Sequence, residues 1–189
     1  MGQGQRHRAV QHVRGIVARA AHLESSGAHR GGTHARTDGI EFNFQHPLHP
    51  LGAWGRPFQV FVNGSKLTLS GNQRASFGGF TPEMLNWGIN FNHKRVKAIA
   101  RWNYRGERLQ SVVAALGPNG AQYSAPITTL DLLLEYRVSP RLAVFANFQN
   151  IFNATNRIAR YGDETPAYAR HTQDTDNGTL LTFGVKGSF

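Results

Sequence analysis

The stretch LDLLLEYRVSPRLAVFANFQ (Leu130–Gln149) decides the fold, because its apolar residues recur at alternate positions on both sides of its centre. The alternation ends at Tyr136 in the first half and at Phe148 in the second half. Successive side chains of a β-strand point to opposite faces, so each half predicts a strand with one apolar side. The central VSPR contains a proline, which suits a turn. The stretch therefore predicts a β-hairpin.

The same two-residue period extends outward from this hairpin along most of the chain. It occurs in the segments GIEFNFQ, FQVFVNGS, NWGINFN and VKAIARWNY, and again in the terminal TLLTFGVKGSF. In the terminal segment, Leu181, Phe183, Val185 and Phe189 fall on one face. The sequence therefore predicts an all-β fold of about seven antiparallel, up-and-down strands.

The connections between these strands differ in length in a regular way. NHKR and VSPR are short turns, and the first link, HPLHPLGAWGRP, is intermediate. Long polar stretches separate the hairpins: 70–84, 106–125 and 153–178. Structureless loops of that length are uncommon in compact soluble domains, whereas outer-membrane barrels alternate short periplasmic turns with long external loops. The alternation favours part of a transmembrane β-barrel.

Aromatic residues support a lipid-facing surface. Folding the hairpin at NHKR brings Trp87 and Trp102 to a similar height on one face, with Tyr104 beside them at the long-loop end. Tyr136 and Phe189 fall at the short-turn end. Two aromatic belts at the two membrane interfaces are typical of barrels. The alternative is ordinary cross-strand aromatic pairing in a soluble sheet.

The first 32 residues form a separate, basic segment. The chain has a net charge of +10, and residues 1–36 hold six arginines against the single acid Glu24. We expect either a weakly ordered tail or a short amphipathic helix, in which Val10, Val13, Val17 and Ala20 share a face. A basic arm of this kind suits nucleic acid or an anionic membrane surface. No secretory signal peptide is evident.

Little in the sequence points to catalysis or to a cofactor. The absence of cysteine excludes disulfides and thiol chemistry. His46 and His49 flank a proline turn without further converging ligands, and the acids Asp163, Glu164, Asp174 and Asp176 are too widely spaced for a calcium loop. We expect no enzyme activity, no metal and no cofactor.

The chain resembles the C-terminal part of a TonB-dependent outer-membrane receptor over about residues 33–189. The segments that carry the resemblance come in the family's order. They are THARTDGIEFNFQHPL, FQVFVNGS, NWGINFNHKRVKAIARWNYRGE, LDLLLEYRVSPRLAVFANFQNIFNATN, RYGDETPAYAR and the terminal GVKGSF.

The resemblance implies a role in energised uptake of a large nutrient, such as an iron–siderophore complex, at the cell outer membrane. It implies as partners membrane lipid, the barrel-assembly machinery, the remaining barrel and plug, and an inner-membrane TonB-type complex. Phe183, Val185 and Phe189 match the family's assembly signal, and Arg101, Glu135 and Arg137 would face the lumen. With about seven of roughly 22 strands, no plug and no energy-coupling box, we expect a fragment that does not transport alone.

Two alternatives from other classes remain. A small soluble β-sandwich would bury the same apolar faces against each other, and it would be monodisperse without detergent. A nucleic-acid-binding protein would act through residues 1–36, with an affinity that falls steeply with salt. Its arginines lie outside the predicted strands, so we do not expect a nucleic-acid partner.

Overall fold

The computed structural model describes the backbone of residues 12–13, 16–25, 35–71 and 79–187, and the side chains of residues 37–70 and 79–187. The described part of the chain is built almost entirely from antiparallel strands. In chain order these are β1 (His12–Val13), β2 (Ile16–Ser25), β3 (Ala35–Pro47), β4 (Phe58–Gly71), β5 (Glu83–His93), β6 (Val96–Arg105), β7 (Arg108–Val112), β8 (Ala121–Ser124), β9 (Ile127–Ser139), β10 (Leu142–Gln149), β11 (Asn156–Tyr161), β12 (His171–Thr175) and β13 (Leu180–Gly187).

The strands form two open sheets. The large sheet has nine strands in the order β1-β2-β3-β4-β5-β6-β9-β10-β13, and the small sheet has four strands in the order β12-β11-β8-β7. Single turns of 3₁₀ helix lie at His49–Leu51, Ala53–Gly55, Ala114–Leu116 and Ala167–Ala169. Among the described residues, no helix has the length and apolar character needed to cross a membrane.

All seven strands expected from the alternation are present, as β3, β4, β5, β6, β9, β10 and β13. Each pairs in an antiparallel ladder with its neighbour, for example β5 with β6 from Met84↔Arg105 to His93↔Val96. The open, antiparallel sheets are consistent with part of a barrel. Along the large sheet, the turns β3–β4, β5–β6 and β9–β10 lie at one end and the long connections β4–β5, β6–β9 and β10–β13 at the other.

The expectation that two of the long connections are plain loops was wrong. Residues 106–125 contain β7 and β8, and residues 153–178 contain β11 and β12. These four strands are 4 to 6 residues long and carry polar residues on both faces, so they give no clear alternation of apolar residues. They are held by pairing between two connections that are distant in the sequence, β8 with β11.

The segment Ile16–Ser25 is a strand, whereas the sequence suggested a weakly ordered or helical tail. It pairs with β3 from Ile16↔Phe44 to Ser25↔Ala35. The sequence IVARAAHLES is compatible with both periods, and the backbone groups along the outer edge of β3 favour a strand partner. The other residues of the predicted tail, 1–11, 14–15 and 26–32, lie outside the described residues, as does Phe189.

The strand register sorts the side chains of the large sheet into two unlike faces. One row across the sheet consists of Ile89, Ala100, Leu132, Phe148 and Leu181, each opposite the next on the adjacent strand. Neighbouring rows on this apolar face are equally nonpolar. The opposite face, the polar face, carries most of the amide and charged side chains of the same strands.

The large sheet has no apolar layer packed against it within the described chain. Among the residues whose side chains the structure describes, Ala121 is the one buried apolar side chain, and the largest fully buried side chain is that of Ser124. Phe183 is 78% exposed and Ile40 is 62% exposed, both on the apolar face. Full burial of one such side chain contributes about 1.5–3 kcal/mol to the free energy of unfolding. Within the described chain, the exposed side chains of this face do not make that contribution.

Large side chains cover glycines on the adjacent strand at several places. Phe145 lies opposite Gly184, and a Cβ built on Gly184 would come within 2.9 Å of its ring. Phe61 covers Gly88 on the polar face in the same way, at 2.7 Å. A glycine at these positions makes room for the ring, which fixes the register of the two strands.

We predict that Gly184→Ala destabilises the chain by about 1–3 kcal/mol, because the added methyl group displaces the Phe145 ring. Equilibrium unfolding in urea, in the presence of detergent micelles, measures the change. In a Phe145→Ala background the same substitution should cost much less, since the ring is gone. Equal costs in both backgrounds would show that the ring does not occupy the space above Gly184.

Candidate functional site: the polar face and the small sheet

Asp131 of β9 organises the centre of the polar face. Its Oδ2 accepts hydrogen bonds from Nδ2 of Asn103 at 2.8 Å and from Nη2 of Arg101 at 3.4 Å, both on β6. Its Oδ1 accepts from the backbone N–H of Asn150 at 3.0 Å. One carboxylate therefore ties β6, β9 and the end of β10 together, and balances the charge of Arg101.

Other polar side chains bridge strands on the same face. Lys186 of β13 donates to Glu135 of β9 at 2.7 Å, across the intervening β10. The same ammonium group lies 5.0 Å from the centre of the Phe145 ring of β10. The Lys186 side chain is 54% exposed, so solvent screens this pair. Many side chains of the polar face therefore form hydrogen bonds with side chains of other strands while remaining partly exposed to water.

Asn150 shapes the end of β10. It has a positive φ of 53°, a conformation that asparagine tolerates better than most residues. Its side-chain oxygen accepts from the N–H of Ala154 at 2.9 Å, and its Nδ2 reaches the carbonyl of Gly178 at 3.3 Å. Asn150 therefore links the segment that leads from β10 into the small sheet to the segment that returns to β13.

The small sheet forms a cleft of about 360 Å³. Tyr123 of β8 and Tyr161 of β11 stack with ring centres 4.6 Å apart, and the Arg170 guanidinium lies 5.0 Å from the Tyr161 ring centre. Beside them, Nδ2 of Asn119 donates to Asp163 at 2.7 Å. The cleft is lined by Asn119, Tyr123, Tyr161, Gly162, Asp163 and Arg170.

The cleft wall raises the pKa of Tyr161 above the ordinary value of 10.0. Partial burial of the phenol is the largest cause, and the carboxylate of Glu107 is the next, since both disfavour the phenolate. The hydroxyl lies 3.4 Å from each oxygen of Glu107 and donates to that carboxylate. Tyr161 is therefore a neutral hydrogen-bond donor around neutral pH.

A cluster of polar side chains links neighbouring strands of the small sheet. Gln110 of β7 donates through Nε2 to Oγ of Ser124 at 2.6 Å, and Ser124 is fully buried. Gln122 of β8 donates to Gln110 and accepts from Arg160 of β11 at 2.8 Å. Side-chain hydrogen bonds therefore join three of the four strands, in addition to the stacked rings of Tyr123 and Tyr161.

Two arginines stand where the large sheet meets the small one. Arg105 is the last residue of β6 and Arg108 is the first residue of β7. The Nε atoms of both side chains are buried and have no hydrogen-bond partner among the described residues. Nη2 of Arg105 donates to the side-chain oxygen of Asn156 at 3.3 Å.

The aromatic residues singled out in the sequence lie on the apolar face. Trp87 is directly opposite Trp102, with parallel rings 6.3 Å apart, at the long-connection end. Tyr104 lies one row further towards that end. Tyr136 lies at the short-turn end opposite Val96 and is 45% exposed.

The predicted assembly-signal residues lie on β13 in part. Phe183 and Val185 are on the apolar face, opposite Ala146 and Val144 of β10, and are 78% and 65% exposed. Phe189, the third residue of that prediction, lies outside the described residues.

The three charges expected inside a lumen are on the polar face but do not form one cluster. Arg101 binds Asp131 and Glu135 binds Lys186, whereas Arg137 is exposed at the short-turn end. Asp131 and Lys186 were not among the predicted site residues, although their alternate positions in the strands already placed them on the polar face.

The acidic residues of the last long connection do not converge. Asp174 pairs with Arg157 at 3.6 Å. Asp176 accepts a hydrogen bond from Thr155, which precedes β11, whereas Asp163 follows the other end of that strand. In the described part of the chain, no group of three or more potential ligands could hold a metal ion.

Comparisons with protein-family models, with curated proteins and with solved structures give no match for this chain. The class is therefore defined by the fold and the site: an open antiparallel β-sheet protein with one apolar and one polar face. A small polar sheet stands at one end of the large sheet.

We predict that the Tyr161 phenol ionises above the ordinary tyrosine pKa of 10.0, as a late component of a titration with rising pH. Because its folded-state pKa is raised, its contribution to stability is complete below pH 10 and is lost as the pH rises from there through the folded pKa. Ultraviolet titration of tyrosine absorbance in the folded chain should show this component disappear in Tyr161→Phe. Tyr168→Phe, which removes an 89% exposed phenol from the same region, should leave it in place. Persistence of the late component in Tyr161→Phe would contradict the assignment.

Proposed function

We propose that the chain is a lipid-inserted portion of a β-barrel from an outer-membrane receptor of the TonB-dependent type. The observation that carries the proposal is the uncovered apolar face of the large sheet. In water, Phe183, Val185 and their neighbours would expose a broad apolar surface, which is unusual for a soluble protein. In a bilayer the acyl chains cover the same surface, and the polar face turns to the barrel interior.

Strand dimensions support a membrane location. β5 has 11 residues and β6 has 10, and a tilted transmembrane strand needs about 9–11. The Trp87–Trp102 row and the row of Tyr136 lie six positions apart along β6, which is about 20 Å along the strand. Aliphatic residues and alanines fill most of the space between these rows, as in a lipid-facing band with aromatic borders.

The connections support one orientation. Short turns at one end suit the periplasmic side, and the long connections at the other end suit the outer surface. The small sheet with its cleft would then stand outside the membrane, at the mouth of the barrel. The hydrogen-bonded ladder around Asp131 would line the interior, where a plug or a polar solute contacts it.

The receptor assignment rests on the resemblance of the ordered segments of residues 33–189 to the family. From it follow the remaining proposals: uptake of a large nutrient, assembly by the outer-membrane machinery, and energy from a TonB-type complex that acts on parts of the receptor other than these strands. The large sheet would form part of the barrel wall of that receptor. The small sheet would form part of its rim and of the external surface that contacts the ligand.

We predict that the full chain folds in the presence of lipid or detergent and aggregates in plain buffer. Near-ultraviolet circular dichroism and protease resistance in phospholipid vesicles measure folding. Ala146→Lys places a charge on the apolar face of β10, and it should cost about 2–4 kcal/mol of stability in the bilayer.

The matched control is Ala143→Lys on the same strand, because residue 143 lies on the polar face. That substitution should cost much less. A folded, monodisperse chain in detergent-free buffer, or equal costs of the two lysines, would overturn the membrane proposal in favour of a soluble β-module.

We predict that Phe183→Ala slows insertion into liposomes that contain the purified barrel-assembly machinery, because it removes part of the proposed recognition signal. The rate is compared with unassisted insertion into the same lipid. Leu181→Ala removes an apolar side chain from the same face of β13 and should retain the acceleration. Equal slowing by both variants would mean that apolar area, not a signal, sets the rate.

A further inference from the structure

Arg105 and Arg108 are held close to each other by a short, tightly packed link. Only Gly106 and Glu107 separate them. The N–H of Gly106 donates to the carbonyl of Glu83 at 2.8 Å, and a Cβ on Gly106 would come within 3.1 Å of the Glu83 Cβ. The link therefore has little freedom, and it fixes the two arginine backbones at the junction of the sheets.

Neither arginine has the carboxylate partner that Arg101 and Lys186 have on the polar face. Arg101 pairs with Asp131 and Lys186 pairs with Glu135. Within the described part of the chain, Arg105 and Arg108 form no ion pair with a carboxylate, and the one side-chain acceptor that Arg105 reaches is the neutral amide of Asn156.

The acid between the two arginines is engaged elsewhere. The carboxylate of Glu107 accepts from the Tyr161 hydroxyl at the cleft, 3.4 Å from each oxygen. It is exposed, whereas both arginines are half-buried. The junction therefore concentrates positive charge in a region partly withdrawn from water, where electrostatic interactions are stronger.

The Nε–H groups of both arginines are buried without an acceptor among the described residues. A buried donor without an acceptor is costly, and native structures avoid it unless a ligand or a function accounts for it. Here two such donors occur on arginines three positions apart in the chain. An oxyanion supplies several acceptor lone pairs and the negative charge at once, and the planar guanidinium fork matches its geometry.

We propose that Arg105 and Arg108 form a binding site for a soluble oxyanion, a phosphate- or carboxylate-bearing solute. Because both Nε atoms are buried, binding would require the two side chains to turn so that Nε and Nη of each guanidinium face the anion. Arg105 follows the polar face of β6, so the ligand enters from the interior side of the junction and not from lipid. The anion site itself does not depend on a membrane; its use as the substrate anchor of a receptor rests on the proposed function.

Inorganic phosphate and citrate are suitable probes, titrated by calorimetry into the full chain folded in maltoside micelles at constant ionic strength. We expect saturable binding to the unaltered chain. The affinity should fall about tenfold or more in the double variant Arg105→Gln/Arg108→Gln, because the charge-assisted hydrogen bonds are lost. Arg137→Gln/Arg141→Gln removes the same charge at the opposite end of the sheet and should change the affinity less than twofold.

A second measurement uses the unaltered chain, so it does not depend on the folding of a variant. Phosphate should raise its melting temperature above that in chloride of equal ionic strength, since a ligand that binds the folded state stabilises it. Absence of both saturation and stabilisation, or equal weakening in the control variant, overturns the site.

Lipid phosphate is distinguished in the same micelles by doping them with phosphatidylglycerol. Binding of this lipid without binding of phosphate or citrate would overturn a soluble ligand. Because the micelle experiment does not require insertion into vesicles, a chain that fails to enter lipid but binds phosphate would refute the membrane proposal and retain the anion site.

Discussion

The structure depends on a single constraint: a large antiparallel sheet with one apolar face and nothing in the described chain to cover it. Main-chain ladders satisfy the backbone groups between strands, but Ala121 is the one buried apolar side chain in the described part. Within the described residues, the sheet therefore lacks the hydrophobic contribution that stabilises an ordinary domain, and under the proposed function lipid would supply it. The alternation of residues, the row of tryptophans and the polar ladder on the other face are what the proposed membrane location would require, because each face would then meet a different medium.

The sequence predicted the large sheet well because a two-residue period over eight or more residues is a strong signal. The hairpin Leu130–Gln149 illustrates this, since its apolar positions and its turn agree. The small sheet could not be predicted in the same way. β8 is only four residues long and is held through Ser124 and Gln110, so its strand character comes from long-range pairing and polar contacts rather than from its own pattern. The same tertiary influence makes Ile16–Ser25 a strand along the edge of β3.

The polar site was predictable in its placement but not in its partners. Alternation assigns Arg101 and Glu135 to the polar face, but it does not say that Asp131 serves one and Lys186 the other. Those pairings depend on strand register, which is set by local features such as the Phe145 ring over Gly184. The cleft of Tyr123 and Tyr161 depends on β8 meeting β11, residues far apart in the chain. Only three-dimensional structure brings these groups together, and the same applies to the acceptor-poor surroundings of Arg105 and Arg108.

The pairing of β8 with β11 also has a consequence for how the chain folds. The ladders β6–β9 and β10–β13 each close a long excursion of the chain, and closing a long loop costs entropy before its contacts form. The β7–β8 and β11–β12 hairpins shorten these excursions, and the β8–β11 contact links one to the other. Opening either ladder from the outer end therefore disturbs the small sheet as well. The hairpin β9–β10 lies between these two long connections, so it belongs to one cooperative unit with them. This linkage protects the hairpin from local fraying at the end of the sheet where the long connections lie.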